Sequence, residues 1–116
     1  MEYHFIGRDL EITDAMRSHA EDKFDKLDRF FNQIIDAKVV MSYNSKGTST
    51  PARVEVQLNI PNGILRAEED GVDTYAAVDL VLDKLERQLK RYKGKWEVRQ
   101  QRQQGEVSPF LALDNE

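Results

Sequence analysis

Between Lys84 and Lys95 the chain carries six Lys or Arg and one acid, Glu86, a local charge of +5 in a protein whose formal net charge is −4. On a helix, at about 100° per residue, Lys84, Arg87, Arg91 and Lys95 fall within one arc of about 80°, roughly opposite Leu82, Leu85 and Leu89. Arg87–Arg91 and Arg91–Lys95 are like-charged i,i+4 neighbours, which repel and destabilise an isolated helix. The chemistry such a column performs is neutralisation of a polyanion, with phosphate backbone the obvious partner. A plainer reading covers part of the pattern. Charged helix faces are usually just solvated, cations suit a helix C-terminus, and Asp83–Arg87 and Glu86–Lys90 are spaced as favourable pairs. Lys84 and Arg91, however, have no acid three or four positions away. In an earlier segment, Lys26 and Arg29 follow Asp22 and Asp25 by four residues, so that face is expected to compensate itself, with Lys23 the least compensated.

Other chemistry is poorly supplied. His4 and His19 lack metal-ligand spacing and neighbour no plausible nucleophile. Glu68, Glu69 and Asp70 lack the alternating ligand positions of a calcium loop and read as a solvated strand end. The six glycines are scattered, and none forms a phosphate-cradling loop after a strand. There is no cysteine, which removes disulfides and thiolate chemistry. No enzyme activity, cofactor or metal is expected.

With 116 residues, 40% apolar and 33% charged, the chain has the size and composition of one ordinary domain with a modest core. No apolar run approaches a membrane span, and MEYHFIGRDLEITD lacks the layout of a signal peptide. The expectation is a soluble, cytoplasmic protein. A sequence pI near 5.2 argues weakly against nucleic-acid binding. The average conceals a polarity: Lys84 to Arg102 carries +6 and the remainder −10.

The elements that must position the basic column follow from periodicity. Tyr3–Arg8 reads as a first strand. Thr13 caps a helix from about Asp14 to Phe31, with Met16, Ala20, Phe24, Leu27 and Phe31 as its apolar stripe. Ile35, Ala37, Val39, Met41 and Tyr43 alternate with polar positions and predict a second strand. Asn44–Pro51 is a polar loop. Val54, Val56, Leu58 and Ile60 against Arg53, Glu55, Gln57 and Asn59 give the clearest strand, with one buried and one wet face. The Asn-Gly of PNG is expected to turn the chain into a fourth strand from Ile64 to about Glu68. Asp73 caps a helix over Thr74–Lys93, whose stripe is Tyr75, Val78, Leu82, Leu85, Leu89 and Tyr92, and Gly94 is the expected C-cap. Tyr75 and Tyr92 are expected in the core, as are Met16 and Met41.

The fold class is therefore α+β, in the order β-α-β-β-β-α. The expected form is a four-stranded mixed sheet with two helices on one face, similar to double-stranded-RNA-binding domains. The domain is expected over residues 1–95, followed by a disordered tail over 96–116 with no helical or strand period.

Three segments together carry a resemblance: LEITDAMRSHAEDKFDKLDRFF, PNG and DTYAAVDLVLDKLERQLKRYK. They resemble the family of ribosome hibernation promoting factors and ribosome-associated translation inhibitors, also catalogued as protein Y or sigma-54 modulation protein. The match covers about Met1 to Lys95. It implies a non-catalytic protein, monomeric off the ribosome. Such a protein binds the small ribosomal subunit in the messenger RNA and transfer RNA channel and inhibits initiation in stationary phase or stress. Carried over, the ribosomal RNA contacts fall on Lys84, Arg87, Lys90, Arg91, Lys93 and Lys95, with Lys23, Lys26 and Arg29 secondary. In length the chain resembles the family's short forms. Among these, a tailed type opposes ribosome pairing and a bare-domain type promotes it; the tail here is nearer the first, but its EVRQQRQQ is basic. The competing expectation is a protein-interaction module that docks a partner through Phe110, Leu111 and Leu113 of SPFLALDNE.

Overall fold

The structure, a computed structural model, describes residues 1–44 and 46–103, with side chains described as far as Gly94. The order is β1 (Glu2–Arg8), α1 (Asp14–Phe30), β2 (Asp36–Tyr43), β3 (Ala52–Ile60), β4 (Gly63–Gly71) and α2 (Thr74–Gln103). The sheet runs β1-β2-β3-β4, with β1 parallel to β2 and the other two pairings antiparallel. The expected α+β class and element order are as observed.

One face of the sheet is covered. Ala37, Val39 and Met41 of β2 and Val54, Val56 and Leu58 of β3 are buried with Met16, Ala20, Phe24 and Leu27 of α1 and Val78, Val81, Leu85 and Leu89 of α2. Period-two strands and period-3.6 helices thus meet in one core, as their patterns require. The helices lie side by side and run parallel. His19 meets Tyr75 near their N-terminal ends, and Phe31 meets Tyr92 further along, both ring edge to ring face. Thr13 and Asp73 act as N-caps, accepting from the amides of Met16 at 3.1 Å and Ala76 at 2.8 Å. Gly71 is where β4 passes under α2: a Cβ there would lie 2.7 Å from the Ala77 amide nitrogen, so only glycine fits.

Several expectations need correcting. Ile35 is 59% exposed; it lies ahead of β2, and Ile34 is buried in its place. Tyr43 ends β2 and is half exposed. Tyr75 is 38% exposed, because Ala77 and Val81 rather than Tyr75 complete the buried side of α2. The hairpin register pairs Ile60 with Gly63, so the two turn residues are Pro61 and Asn62. Proline fixes the first, and Asn62 takes the left-handed conformation at φ 64, the pattern of a type II turn rather than an Asn-Gly turn. The fourth strand runs on to Gly71, past the expected end at Glu68.

The largest difference is at Gly94. The second helix does not stop there: its backbone continues to Gln103. Gly94 has no left-handed φ, and the residues after it, among them Lys, Glu, Arg and Gln, are good helix formers, which offset a glycine cost of about 1 kcal/mol. Residues 96–103, expected to be disordered, are therefore helical backbone. The rest of the expected tail, with Phe110, Leu111 and Leu113, lies outside the described residues.

Candidate nucleic-acid interface

The column read from the sequence divides into two flanks of α2. One flank borders β4, an edge strand with outward-facing carbonyls. Lys84 Nζ lies 2.9 Å from a Glu69 carboxylate oxygen and donates to the Glu68 carbonyl at 3.1 Å. One turn on, the Gln88 side-chain amide donates to the Arg66 carbonyl at 2.8 Å. These contacts cap an edge that would otherwise offer unpaired backbone groups. Lys84, uncompensated along its own helix, is compensated across the fold. On the opposite flank, Lys93 Nζ reaches the Phe30 carbonyl at 3.4 Å, at the end of α1, and lies 4.8 Å from the Phe30 ring centroid. Both contacts suit a cation, the carbonyl through the helix dipole and the ring through its π face.

Arg87, Lys90 and Arg91 are exposed between these flanks. The pairs expected at i,i+4, Asp83–Arg87 and Glu86–Lys90, do not close. Among the described residues none of the three cations has a carboxylate within 4.0 Å. Arg87 only leans its Nε toward the Asp83 carbonyl at 3.4 Å. Exposed i,i+4 pairs gain so little over the entropy of two long side chains that open geometry is unsurprising. The backbone of Lys95 lies in α2; its side chain is outside the described ones.

The expected self-compensation of α1 is also corrected. Asp25 accepts from the Tyr3 hydroxyl at 2.6 Å, and Asp28 pairs with the Met1 amino group at 2.7 Å. Burial first, and then the bond to Asp25, hold the Tyr3 phenol well above its ordinary pKa. The Met1 amine is likewise raised, chiefly by Asp28. Asp25 and Asp28 thus serve β1 and the first residue, and Asp22 closes no ion pair among the described residues. Lys26 and Arg29 stand exposed, and Lys23 half-buried, without a carboxylate in reach among the described residues. Because α1 and α2 pack in parallel on the same sheet face, these cations and those of α2 share the outer surface of one helical layer. That surface can hold a phosphate backbone by charge and shape.

The groups set aside in the sequence have structural partners. His19 Nε2 is 3.2 Å from Asp79 and bridges the helices; His4 lies 3.9 Å from Asp36. The acidic run does not converge: Glu68 and Asp70 face Arg53 on the open side of the sheet, while Glu69 turns to Lys84. Sequence reasoning missed the partners of Lys84 and Lys93 and the edge-capping Gln88, since each contact joins elements distant along the chain.

The family model of sigma 54 modulation protein / S30EA ribosomal protein matches residues 3–97. The chain is 44% identical over 109 residues to a ribosome hibernation promotion factor of Deinococcus radiodurans, a match covering 93% of this chain and 56% of that protein. It is 38% identical over 113 residues to the factor of the same name from Staphylococcus aureus, covering 95% and 57%. The chain spans about half the length of the curated relatives it matches. Among solved structures it is similar to the Protein Y N-terminal domain of Thermus thermophilus, with a TM-score of 0.70 and 45% identity over 79% of this chain and 99% of that one. A ribosomal subunit interface protein from Coxiella burnetii matches with a TM-score of 0.72 and 26% identity, over 80% and 98%.

Proposed function

This chain belongs to the sigma 54 modulation protein / S30EA ribosomal protein family, and on that premise we propose that it is a ribosome-associated hibernation factor. It binds the small ribosomal subunit in the messenger RNA and transfer RNA channel and inhibits initiation under stationary phase or stress. It acts in the cytoplasm as a monomer and makes or breaks no covalent bond. Its effect is occlusion, since a folded domain occupying the channel excludes the ligands of initiation. The names of its relatives support the hibernation role. The observation that carries the reading is the set of outward cations with no carboxylate in reach among the described residues: Arg87, Lys90 and Arg91 on α2, flanked by Lys23, Lys26 and Arg29 on α1.

Phosphates meet Arg87 and Arg91 first, because no carboxylate among the described residues competes for those guanidiniums. Lys84 and Lys93 stand at the margins of the same surface. Neutralising about five phosphates releases their counterions, so a threefold rise in salt lowers affinity on the order of 10². The test is sedimentation of purified small subunits with the protein across a salt series, with messenger RNA and initiator transfer RNA as competitors. Salt-sensitive co-sedimentation and mutual exclusion with both ligands are expected. Simultaneous binding with both ligands, or affinity indifferent to salt, overturns the proposal.

A further inference from the structure

The face of the sheet turned away from the helices holds a second cluster of cations, separate from the interface above. The strand register aligns His4, Lys38, Gln57 and Arg66 in one row across all four strands. The next row is Ile6, Val40, Glu55 and Glu68, and the one after it Arg8, Ser42, Arg53 and Asp70. Arg8, Lys38 and Arg66 rim a depression of about 450 Å³ that reaches from Val40 past Gln57 to Gln88 at the β4 edge. That volume falls within the range of small-ligand sites.

Two carboxylates, Glu55 and Glu68, line the depression as well, and both are engaged by Arg53. Arg53 lies 2.5 Å from Glu68, 2.9 Å from Asp70 and 3.4 Å from Glu55. The bond to Asp70 foremost, with the charges of Glu68 and Glu55 adding to it, holds this guanidinium firmly protonated. One arginine thereby collects three acids, leaving Arg8, Lys38 and Arg66 with no carboxylate within 4.0 Å among the described residues. Arg66 spends only its Nε, donated to Gln57 Oε1 at 3.2 Å, and its terminal nitrogens have no side-chain partner among the described residues. Val40, in a position that points away from the helices, is nonetheless only 5% exposed and supplies an apolar floor. Exposed cations around an apolar floor, with side-chain amides at the margin, suit a ligand that has both a phosphate and a flat, hydrogen-bonding body.

We propose that this open-face depression binds a nucleotide, free or as one residue of an RNA strand, with its phosphate on Arg8, Lys38 and Arg66 and its base over Val40 within reach of Gln57 and Gln88. Arginine planes can stack on the base as well as pair with phosphate. Lys84, at the margin of the helical layer, also lines the depression, but Arg8, Lys38 and Arg66 stand on the sheet alone, so the failure of this site and the failure of the ribosome reading are separable.

The test is a nuclear magnetic resonance titration of the full chain with ATP, with inorganic phosphate and with a five-nucleotide single-stranded RNA. ATP or the oligonucleotide is expected to shift the amides of Arg8, Lys38, Val40, Gln57 and Arg66 saturably. The expected Kd for the better ligand is on the order of 10⁻⁴ M. Lys38→Ala with Arg66→Ala, both at exposed positions, should weaken binding at least tenfold, while Lys46→Ala, at an exposed position in the loop between β2 and β3, leaves it unchanged. Saturation at lower concentration by ATP identifies a free nucleotide as the source; saturation at lower concentration by the oligonucleotide identifies an RNA residue. Equal affinity for inorganic phosphate overturns recognition of the base, and shifts confined to α1 and α2 overturn the site.

Discussion

The β4-facing flank of α2 and its outward flank carry the same kinds of residue and use them differently. Lys84 and Gln88 are turned inward to an edge strand, where they satisfy Glu69 and two backbone carbonyls. Arg87, Lys90 and Arg91, on neighbouring turns of the same helix, meet no acid among the described residues. The basic stripe is therefore divided, one part tied to the scaffold and the other, on the function we propose, left for a partner, and only contacts across the fold tell the parts apart. The largest expected effect tests that division. Arg87→Glu, Lys90→Glu and Arg91→Glu together should lower small-subunit affinity by on the order of 10² or more, with the thermal midpoint within about 2 °C of the parent's. Sedimentation and calorimetry on the same preparation check it. A triple variant that melts early while binding normally would break the comparison.

A smaller effect belongs to α1, whose Asp25 is drawn toward β1. Tyr3→Phe removes the hydroxyl that occupies Asp25 and should cost about 1 kcal/mol at neutral pH. The phenol's pKa is raised in the folded state above its ordinary value of 10. The protonated hydroxyl's contribution is therefore complete below pH 10 and is lost as pH climbs beyond it. Urea denaturation from pH 8 to 11 should show the parent losing stability above pH 10 and the Tyr3→Phe difference shrinking. A difference constant over that range would mean the hydroxyl is not held as described. Gly94→Ala tests the continuity of α2. A Cβ there meets nothing within 4 Å, so helicity and stability should rise by up to about 1 kcal/mol. A loss instead would restore the helix end read from the sequence.

Most of the fold was legible because it rests on periodicity. Val54, Val56, Leu58 and Ile60 alternate without interruption, and Leu85 and Leu89 keep helical spacing, so strand, helix and their buried sides follow from order alone. What was not legible depends on residues far apart in the chain. Nothing in the local sequence sends Asp25 to Tyr3 or Lys84 to Glu69, and i,i+4 spacing pointed to partners that do not close. Tyr75 misled because a helical stripe is wider than the contact that buries it, and at the start of α2 it is Ala77 that packs under Gly71. Gly94 misled because a glycine ends a helix only where the backbone turns left-handed. The open-face cations were invisible as a group until the register set Lys38 beside Arg66 across β3.

The smallest expected effect is the sharpest test of the two flanks. Lys84→Met keeps an apolar stem along β4 and removes the charge that meets Glu69 and the Glu68 carbonyl. Both partners in the ion pair are partly exposed, so solvent screening limits the cost to about 0.5 kcal/mol, or about 2–4 °C in the thermal midpoint. Arg91→Met, on the other flank, should leave the midpoint unchanged and lower small-subunit affinity several-fold through one lost phosphate contact. Lys84→Met should lower that affinity less, because its ammonium is already shared with Glu69 and the β4 backbone. The crossed pattern is the point of the pair, with stability moving in one variant and affinity in the other. If Lys84→Met matched Arg91→Met in both measurements, the inward contacts would be incidental and the whole column would act as one surface.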